Sequence, residues 1–300
     1  MFAVSDALRG RSFTRVADWS RDEWLTALDL ADRLKAARAA GEETALLPGR
    51  TLGMIFQKPS TRTRVSFEVG ISQLGGTGLY LAAADLQLGR GETIRDTAVV
   101  LSRYLDAIMI RTFAQTDVEE LARHASIPVV NGLTDDEHPC QALADVMTVR
   151  ERLGRLEGVR MAYIGDGNNV CVSLAEAARL LGMGFVAATP PRYEPPLDWV
   201  DVTHDPREAA ADADVLYTDV WTSMGQDEER AQRLEDFTGF TIDASLVEVA
   251  APSAIVLHCL PAHYGEEIAE DVLYGPQSAV WDEAENRLHA QKALMALLIR

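Results

Sequence analysis

Lysine is almost missing from this chain: of 28 basic residues, only Lys35, Lys58 and Lys292 are lysine and the rest are arginine. Acids outnumber bases so far that the formal net charge is −18, which argues against nucleic acid and anionic membrane surfaces as partners. An anionic substrate would meet an opposing global field, so a local arginine cluster would have to dominate within about a Debye length of it. Cysteine is scarce as well. Cys140, Cys171 and Cys259 form no CxxC pair and are odd in number, which speaks against a disulfide framework and a thiolate zinc site. They read as reduced thiols of a cytoplasmic protein. Long apolar runs are lacking too: Ala293-Leu294-Met295-Ala296-Leu297-Leu298-Ile299 falls far short of the roughly 18 residues that span a bilayer. At the N-terminus, Met1-Phe2-Ala3-Val4-Ser5-Asp6 has no basic flank ahead of an apolar stretch, so no secretory signal is expected.

What is present is the rhythm of parallel α/β units. Short apolar runs at 51–56, 107–110, 129–131, 160–164, 185–188, 215–218 and 255–257 alternate with helical patterns, as strands joined by crossover helices do. In 64–74, Phe67, Ile71 and Leu74 share one helical face, and Leu174, Ala177, Ala178 and Leu181 do the same later. The tail from 289 to 299 reads as a final helix. The proline-rich stretch 190–198 reads as a surface loop. A length of 300 residues suits two domains of about 150 each, with a junction near 145–158, read as a polar helix leading into the strand at Arg160.

One segment concentrates charge and capping groups. Ser60-Thr61-Arg62-Thr63-Arg64 stands between the strand 51–56 and the helix 64–74. Ser60 or Thr61 can cap that helix, whose first-turn amides have no internal partner. Free N–H groups, hydroxyls, a helix dipole and two guanidinia make an anion site suited to phosphate. The P-loop pattern is lacking, so that form of phosphate cradle is excluded. Other features are ambiguous taken singly. Gly165-x-Gly167 after a strand suggests dinucleotide binding, but Val170 replaces the third glycine. Asp219 reads equally as a cap, His138 as a packed histidine and Cys259 as a core thiol. His258 and Cys259 are neighbours on a strand, so their side chains should point to opposite faces, poorly placed as base and nucleophile.

Taken together the motifs resolve. Phe56-Gln57-Lys58-Pro59-Ser60-Thr61-Arg62-Thr63-Arg64 resembles the carbamoyl-phosphate signature of the aspartate/ornithine carbamoyltransferase family. Gln87-Leu88-Gly89-Arg90-Gly91-Glu92, Arg111-Thr112-Phe113 and His138-Pro139-Cys140-Gln141-Ala142-Leu143-Ala144-Asp145 resemble further family motifs and follow in the family's order. Asp166-Gly167-Asn168-Asn169, Asp219-Val220-Trp221-Thr222-Ser223-Met224-Gly225 and His258-Cys259-Leu260-Pro261 resemble its ornithine-using branch. The likeness covers nearly the whole chain.

The resemblance implies two parallel-sheet α/β domains with the active site in the interdomain cleft. Residues 1–145 would bind carbamoyl phosphate, 146–285 would bind ornithine, and a C-terminal helix at 286–300 would return to the first domain. Ser60, Thr61, Arg62, Thr63, Arg111 and Arg287 would hold the phosphate end, with Gln87 reaching in from an adjacent subunit of a trimer or a multiple of trimers. His138, Gln141, Cys259 and Leu260 would position the carbamoyl group, and Cys259, Arg111 and His138 would act in catalysis. Asp219 would take the α-ammonium of ornithine, and Asn169 with Ser223 and Met224 its α-carboxylate. No metal or organic cofactor is expected. Two departures stand out: Tyr264 lies where relatives commonly carry arginine, and Cys171 follows the asparagine pair where a small or aliphatic residue is expected. Competing acceptors are putrescine, which would leave Asp219 and Asn169 without partners, N-acylated ornithine, which has no α-ammonium for Asp219, and aspartate. In other classes stand an NAD oxidoreductase and a non-catalytic binding protein, the latter hard to square with the intact Ser60–Arg64, His138 and Cys259 set.

Overall fold

The computed structural model describes residues 4–225 and 227–299. Met1, Phe2 and Ala3, read above for a leader, and Arg300, the last residue of 286–300, lie outside the described residues. The chain divides into two compact units, residues 1–147 with 285–300, and residues 148–284.

The first unit contains α1 (Arg21–Ala39), β1 (Thr51–Phe56), α2 (Thr61–Gln73), β2 (Thr77–Ala82), α3 (Ile94–Leu101), β3 (Ala107–Arg111), α4 (Gln115–His124), β4 (Val129–Leu133) and most of α5 (Pro139–Leu153). Its strands form a parallel sheet in the order β2-β1-β3-β4. β3 and β4 are buried at every residue and β1 at all but its first, as expected where crossover helices cover both faces. Phe56 registers with Arg111, and Arg111 with Leu133. The carboxyl ends of three strands therefore lie side by side, and the loops leaving that edge are where open α/β sheets carry ligands.

The second unit contains β5 (Arg160–Ile164), α6 (Asn169–Leu181), β6 (Gly184–Ala188), β7 (Asp201–Thr203), α7 (Pro206–Ala210), β8 (Val215–Thr218), α8 (Arg230–Asp236), α9 (Ala244–Val247), β9 (Ile255–His258) and α10 (Glu270–Leu273). Its parallel sheet runs β7-β6-β5-β8-β9. Ala162, Ile164, Leu216 and Val256 pack with Trp221, Phe237 and Ile242 in its core. Thr218 registers with His258, so the segments beginning at Asp219 and Cys259 leave the sheet as neighbours.

Both parallel sheets match the expected α/β class, and the last helix, α11 (Val280–Leu298), joins the first unit over its larger part. A Cβ on Gly70 of α2 would meet Met295 Cε at 2.9 Å, and Lys292 Nζ donates to Gln73 Oε1 at 3.0 Å. Three expectations need correction. α11 starts at Val280 rather than 289, because Glu283, Asn286 and Arg287 are buried polar residues that hide the apolar period. β2 and β7 went unread because their residues are mostly half-buried or exposed, so neither shows an apolar run. The helix at the 145–158 junction is polar in its surroundings only at its end: residues 140–149 of α5 are all buried, whereas 150–153 are half-buried or exposed. Among the described residues no helix is long and apolar enough to cross a membrane.

Candidate active site

In the first unit, Ser60 caps α2 by accepting from the Thr63 amide at 3.2 Å, leaving Thr61 exposed, Arg62 half-buried and Thr63 buried. Arg111 is the last residue of β3 and is only 6% exposed. Its carbonyl accepts from the Gln57 amide at 2.8 Å, and Thr112 Oγ1 donates to Gln57 Oε1 at 2.7 Å, so the chain leaving β1 is tied to the chain leaving β3. Lys58, also buried, pairs with Asp135 and lies 4.3 Å from the centre of the Phe113 ring.

His138 precedes α5 on the loop leaving β4. Thr134 accepts from the Glu137 amide at 3.1 Å, and Glu137 accepts from the Val16 amide at 2.8 Å and from Arg15 at 3.1 Å. A buried carboxylate persists only when held in this way. Arg287 of α11 donates to Gln141 Oε1, and to Thr63 Oγ1 at 3.2 Å, while Gln141 donates to Asp145 at 2.7 Å. Burial holds His138 well below the ordinary histidine range, and the guanidinia of Arg287, Arg111 and Arg62 depress it further. His138 is therefore neutral at physiological pH, able to donate one hydrogen bond without carrying charge. Arg62, Thr63, Arg111, His138, Gln141 and Arg287 thus form one group. Gln87 begins a 3-10 turn and is itself exposed.

In the second unit, Asp219 directly follows β8 and is 6% exposed. Its Oδ1 accepts from the Val220 amide at 2.8 Å and from Cys259 Sγ at 2.9 Å, and its Oδ2 accepts from Asn168 Nδ2 at 2.8 Å. Asn168 also caps α6, its Oδ1 accepting from Val170 N at 3.0 Å, Cys171 N at 3.1 Å and the Tyr163 hydroxyl at 3.1 Å. Cys259 is half-buried and donates as a thiol, while His258 turns to Glu267. The two side chains diverge, as strand alternation requires. Cys140 and Cys171 are buried and burial raises both thiols, Cys140 to about 12, so they are packing residues. Asn169 opens α6 and is half-buried. Ser223 is half-buried and Met224 is 49% exposed. Leu260 packs on the core with φ of +58°.

Several supporting residues escaped the sequence reading. Asp166 is paired with Arg233 at 2.9 Å, and Arg233 also donates to the Trp221 carbonyl at 2.8 Å and to Glu229 at 3.0 Å. One guanidinium thereby joins the 166–168 turn to the segment between Asp219 and Ser223. Burial pushes Asp166 up to about 6, with Arg233 pulling the other way. Gly167 meets the loop at 190–198 so closely that a Cβ there would lie 2.2 Å from Pro195 N. That contact accounts for the glycine without any dinucleotide. Glu137, Glu267 and Glu283 are buried carboxylates whose local sequence gives no sign of it. Asp166 and Asn168, both inside a quoted motif, did carry a signal.

Two family models match the chain. That for the aspartate/ornithine carbamoyltransferase carbamoyl-P binding domain covers residues 11–151, and that for the Asp/Orn binding domain covers 157–298. The ornithine carbamoyltransferase of Methanoculleus marisnigri is 54% identical over 299 residues, 96% of this chain and 97% of the relative. The solved ornithine carbamoyltransferase of Pyrococcus furiosus matches with a TM-score of 0.94 at 52% identity, covering 97% of this chain and 98% of that one. The one from Thermus thermophilus matches at 0.91 and 43% identity, over 98% and 100%.

Proposed function

The chain belongs to the aspartate/ornithine carbamoyltransferase family, and from that membership we propose that it moves the carbamoyl group of carbamoyl phosphate onto the side-chain amine of L-ornithine, giving citrulline and phosphate. The observation that carries the donor half is the convergence of Arg62, Arg111 and Arg287 on a neutral His138. In a chain of net charge −18, that cluster is the local exception a phosphate dianion needs. Asp219, held by Asn168 and Cys259, carries the acceptor half as the partner for an α-ammonium.

Ser60, Thr61, Arg62, Thr63, Arg111 and Arg287 take the phosphate oxygens, and His138, Gln141 and the Cys259-Leu260 backbone hold the carbamoyl group. The amine of ornithine has a lysine-like pKa of about 10.4 in water. Arginines around the donor lower it, since like charge disfavours the ammonium. The neutral amine forms the new C–N bond at the carbamoyl carbon. Thr63, Arg111 and neutral His138 donate to the resulting oxyanion. The bond from carbon to the phosphate oxygen then breaks, and phosphate leaves with the amine proton. Asn169 and the Ser223-Met224 turn take the α-carboxylate. Gln87, exposed on its turn, serves a neighbouring copy in a homotrimer or a multiple of trimers. The exposed apolar side chains of Val65, Val69, Leu79, Tyr80, Val99 and Val100 on α2, β2 and α3 suit such contacts. The assembly works in the cytoplasm.

Citrulline-type product formation from carbamoyl phosphate, with ornithine, putrescine, N-acetylornithine and aspartate offered in parallel, tests the proposal. Strong preference for ornithine supports both halves. Preference for another acceptor keeps the phosphate site and overturns the role of Asp219. No turnover with any acceptor overturns the reading.

A further inference from the structure

Beyond the groups assigned to substrates, the segment 258–263 is held by two buried carboxylates. Glu267 is 0% exposed, a position a carboxylate occupies only at considerable cost unless it is paired. Its Oε1 accepts from His258 Nε2 at 3.0 Å and from the His263 amide at 2.6 Å, so one oxygen gathers both ends of the segment that carries Cys259 and Leu260. Glu283 accepts from the His258 amide at 2.9 Å and from the Tyr217 hydroxyl at 3.2 Å, fixing where the segment leaves β9. The His258 ring is used at both nitrogens. The Leu260 amide donates to Nδ1 at 2.8 Å, so Nδ1 carries no proton and the proton sits on Nε2, facing Glu267. Leu260 has φ of +58°, a left-handed conformation that a non-glycine residue rarely adopts and that persists only where surroundings enforce it. The Leu260 amide bond to His258 Nδ1 helps hold the backbone there, and that bond exists in one tautomer only.

We propose that Glu267 is a positioning residue for the transfer reaction: through the His258 tautomer it holds the Cys259-Leu260 backbone in the left-handed turn that presents the Cys259 thiol to Asp219. The inference rests on the proposed carbamoyl transfer to ornithine. Glu267 touches neither substrate. With the carboxylate gone, the imidazole proton can move to Nδ1, where it meets the Leu260 N–H donor head-on, and the turn relaxes. A relaxed turn misplaces Cys259 and the Leu260 carbonyl, and displacements near 1 Å cost on the order of 100-fold in rate.

The test uses full-length wild type, Glu267→Gln, Glu267→Leu and His258→Gln, each labelled with 15N at the histidine rings. Chain length is unaltered, and His258→Gln identifies the His258 signals among six histidines. The wild type should show His258 as the Nε2–H tautomer, and Glu267→Leu should show a mixture. Catalytic efficiency with ornithine should fall roughly 10- to 100-fold in Glu267→Leu, with Glu267→Gln in between because its amide oxygen still accepts. Inhibition by inorganic phosphate should stay within about twofold in both, a pattern that general loss of structure does not give. An unchanged tautomer, or full activity in Glu267→Leu, overturns the inference. So does a parallel loss of phosphate inhibition, ornithine use and melting temperature. If Glu267→Leu does not fold, the near-isosteric Glu267→Gln decides: wild-type tautomer and wild-type kinetics in it also overturn the inference. A wild type inactive with ornithine would instead overturn the proposed function, while its His258 tautomer remained readable.

Discussion

Asn168 does two jobs that substitution can separate. Its Oδ1 caps α6 and its Nδ2 donates to Asp219. Asn168→Ser keeps a good capping oxygen, since serine and asparagine rank alike at that position, but its shorter side chain has no amide to offer Asp219. Asn168→Ala loses both. Each variant also withdraws the amide oxygen that accepts from the buried Tyr163 hydroxyl, so that cost is common to the pair and cancels in their difference. The difference is then the cap, about 1 kcal/mol, or about 2–4 °C in melting temperature for a unit of this size. The bond to Asp219 is charge-assisted and removing it costs about 1.5–3 kcal/mol. At about 1.4 kcal/mol per factor of ten, its loss should lower kcat/KM for ornithine roughly 10- to 100-fold in both variants, because among the described residues the Val220 amide and the Cys259 thiol are then left to aim Asp219. The assay is initial rate against ornithine at saturating carbamoyl phosphate, with thermal melts of all three proteins. Wild-type use of ornithine by Asn168→Ser would show that the Asn168 amide does not aim Asp219. A melting temperature of Asn168→Ser as low as that of Asn168→Ala would show that the cap is not what α6 needs.

Other expected outcomes follow from the same geometry. Asp166, raised to about 6 from a carboxylate value of 3.8, binds its proton more tightly when folded. Its ionisation therefore removes about 3 kcal/mol of stability as pH rises from near 3.8 through 6. The ionised form is nevertheless the one that grips Arg233, so ornithine KM should rise as pH falls below about 6, and Asp166→Asn should abolish that dependence; a KM profile equally steep in the variant would refute it. Gly167→Ala should cost about 3 kcal/mol or more, since its Cβ would overlap backbone atoms of Glu194 and Pro195 at 2.5 and 2.2 Å; a melting temperature within about 2 °C of wild type would show that the 190–198 loop yields freely. Arg287→Met should raise the carbamoyl-phosphate requirement roughly tenfold or more, through loss of its bonds to Thr63 and Gln141. An unchanged requirement would remove Arg287 from the donor site. With a net charge of −18, self-repulsion should be relieved by salt as the Debye length drops from about 30 Å at 0.01 M to about 3 Å at 1 M. The melting temperature should therefore climb with sodium chloride, and a flat response would mean the acids are already paired.

What the sequence determined by itself was whatever is written in contiguous residues. The parallel strands β1, β5 and β8 were legible because burial on both faces demands an apolar run of the right length, and the turn at Ser60–Arg64 because caps, charges and a helix start lie within five residues. The family motifs could be read in order along the chain for the same reason. Tertiary structure decided everything that depends on which side chains meet. Arg287 bonds Gln141 across 146 positions and Thr63 across 224, and nothing in Glu285-Asn286-Arg287-Leu288 distinguishes that arginine from a solvated one. Glu137, Glu267 and Glu283 resemble surface glutamates in any local window, yet each is buried because backbone amides and ring nitrogens from other elements supply its hydrogen bonds. The edge strand β2 and the early turns of α11 hid for a related reason: periodicity reports burial of apolar faces, and these segments are half exposed or buried through polar groups. A polar residue's environment is a property of its partners, and partners distant in sequence are chosen only when the chain folds.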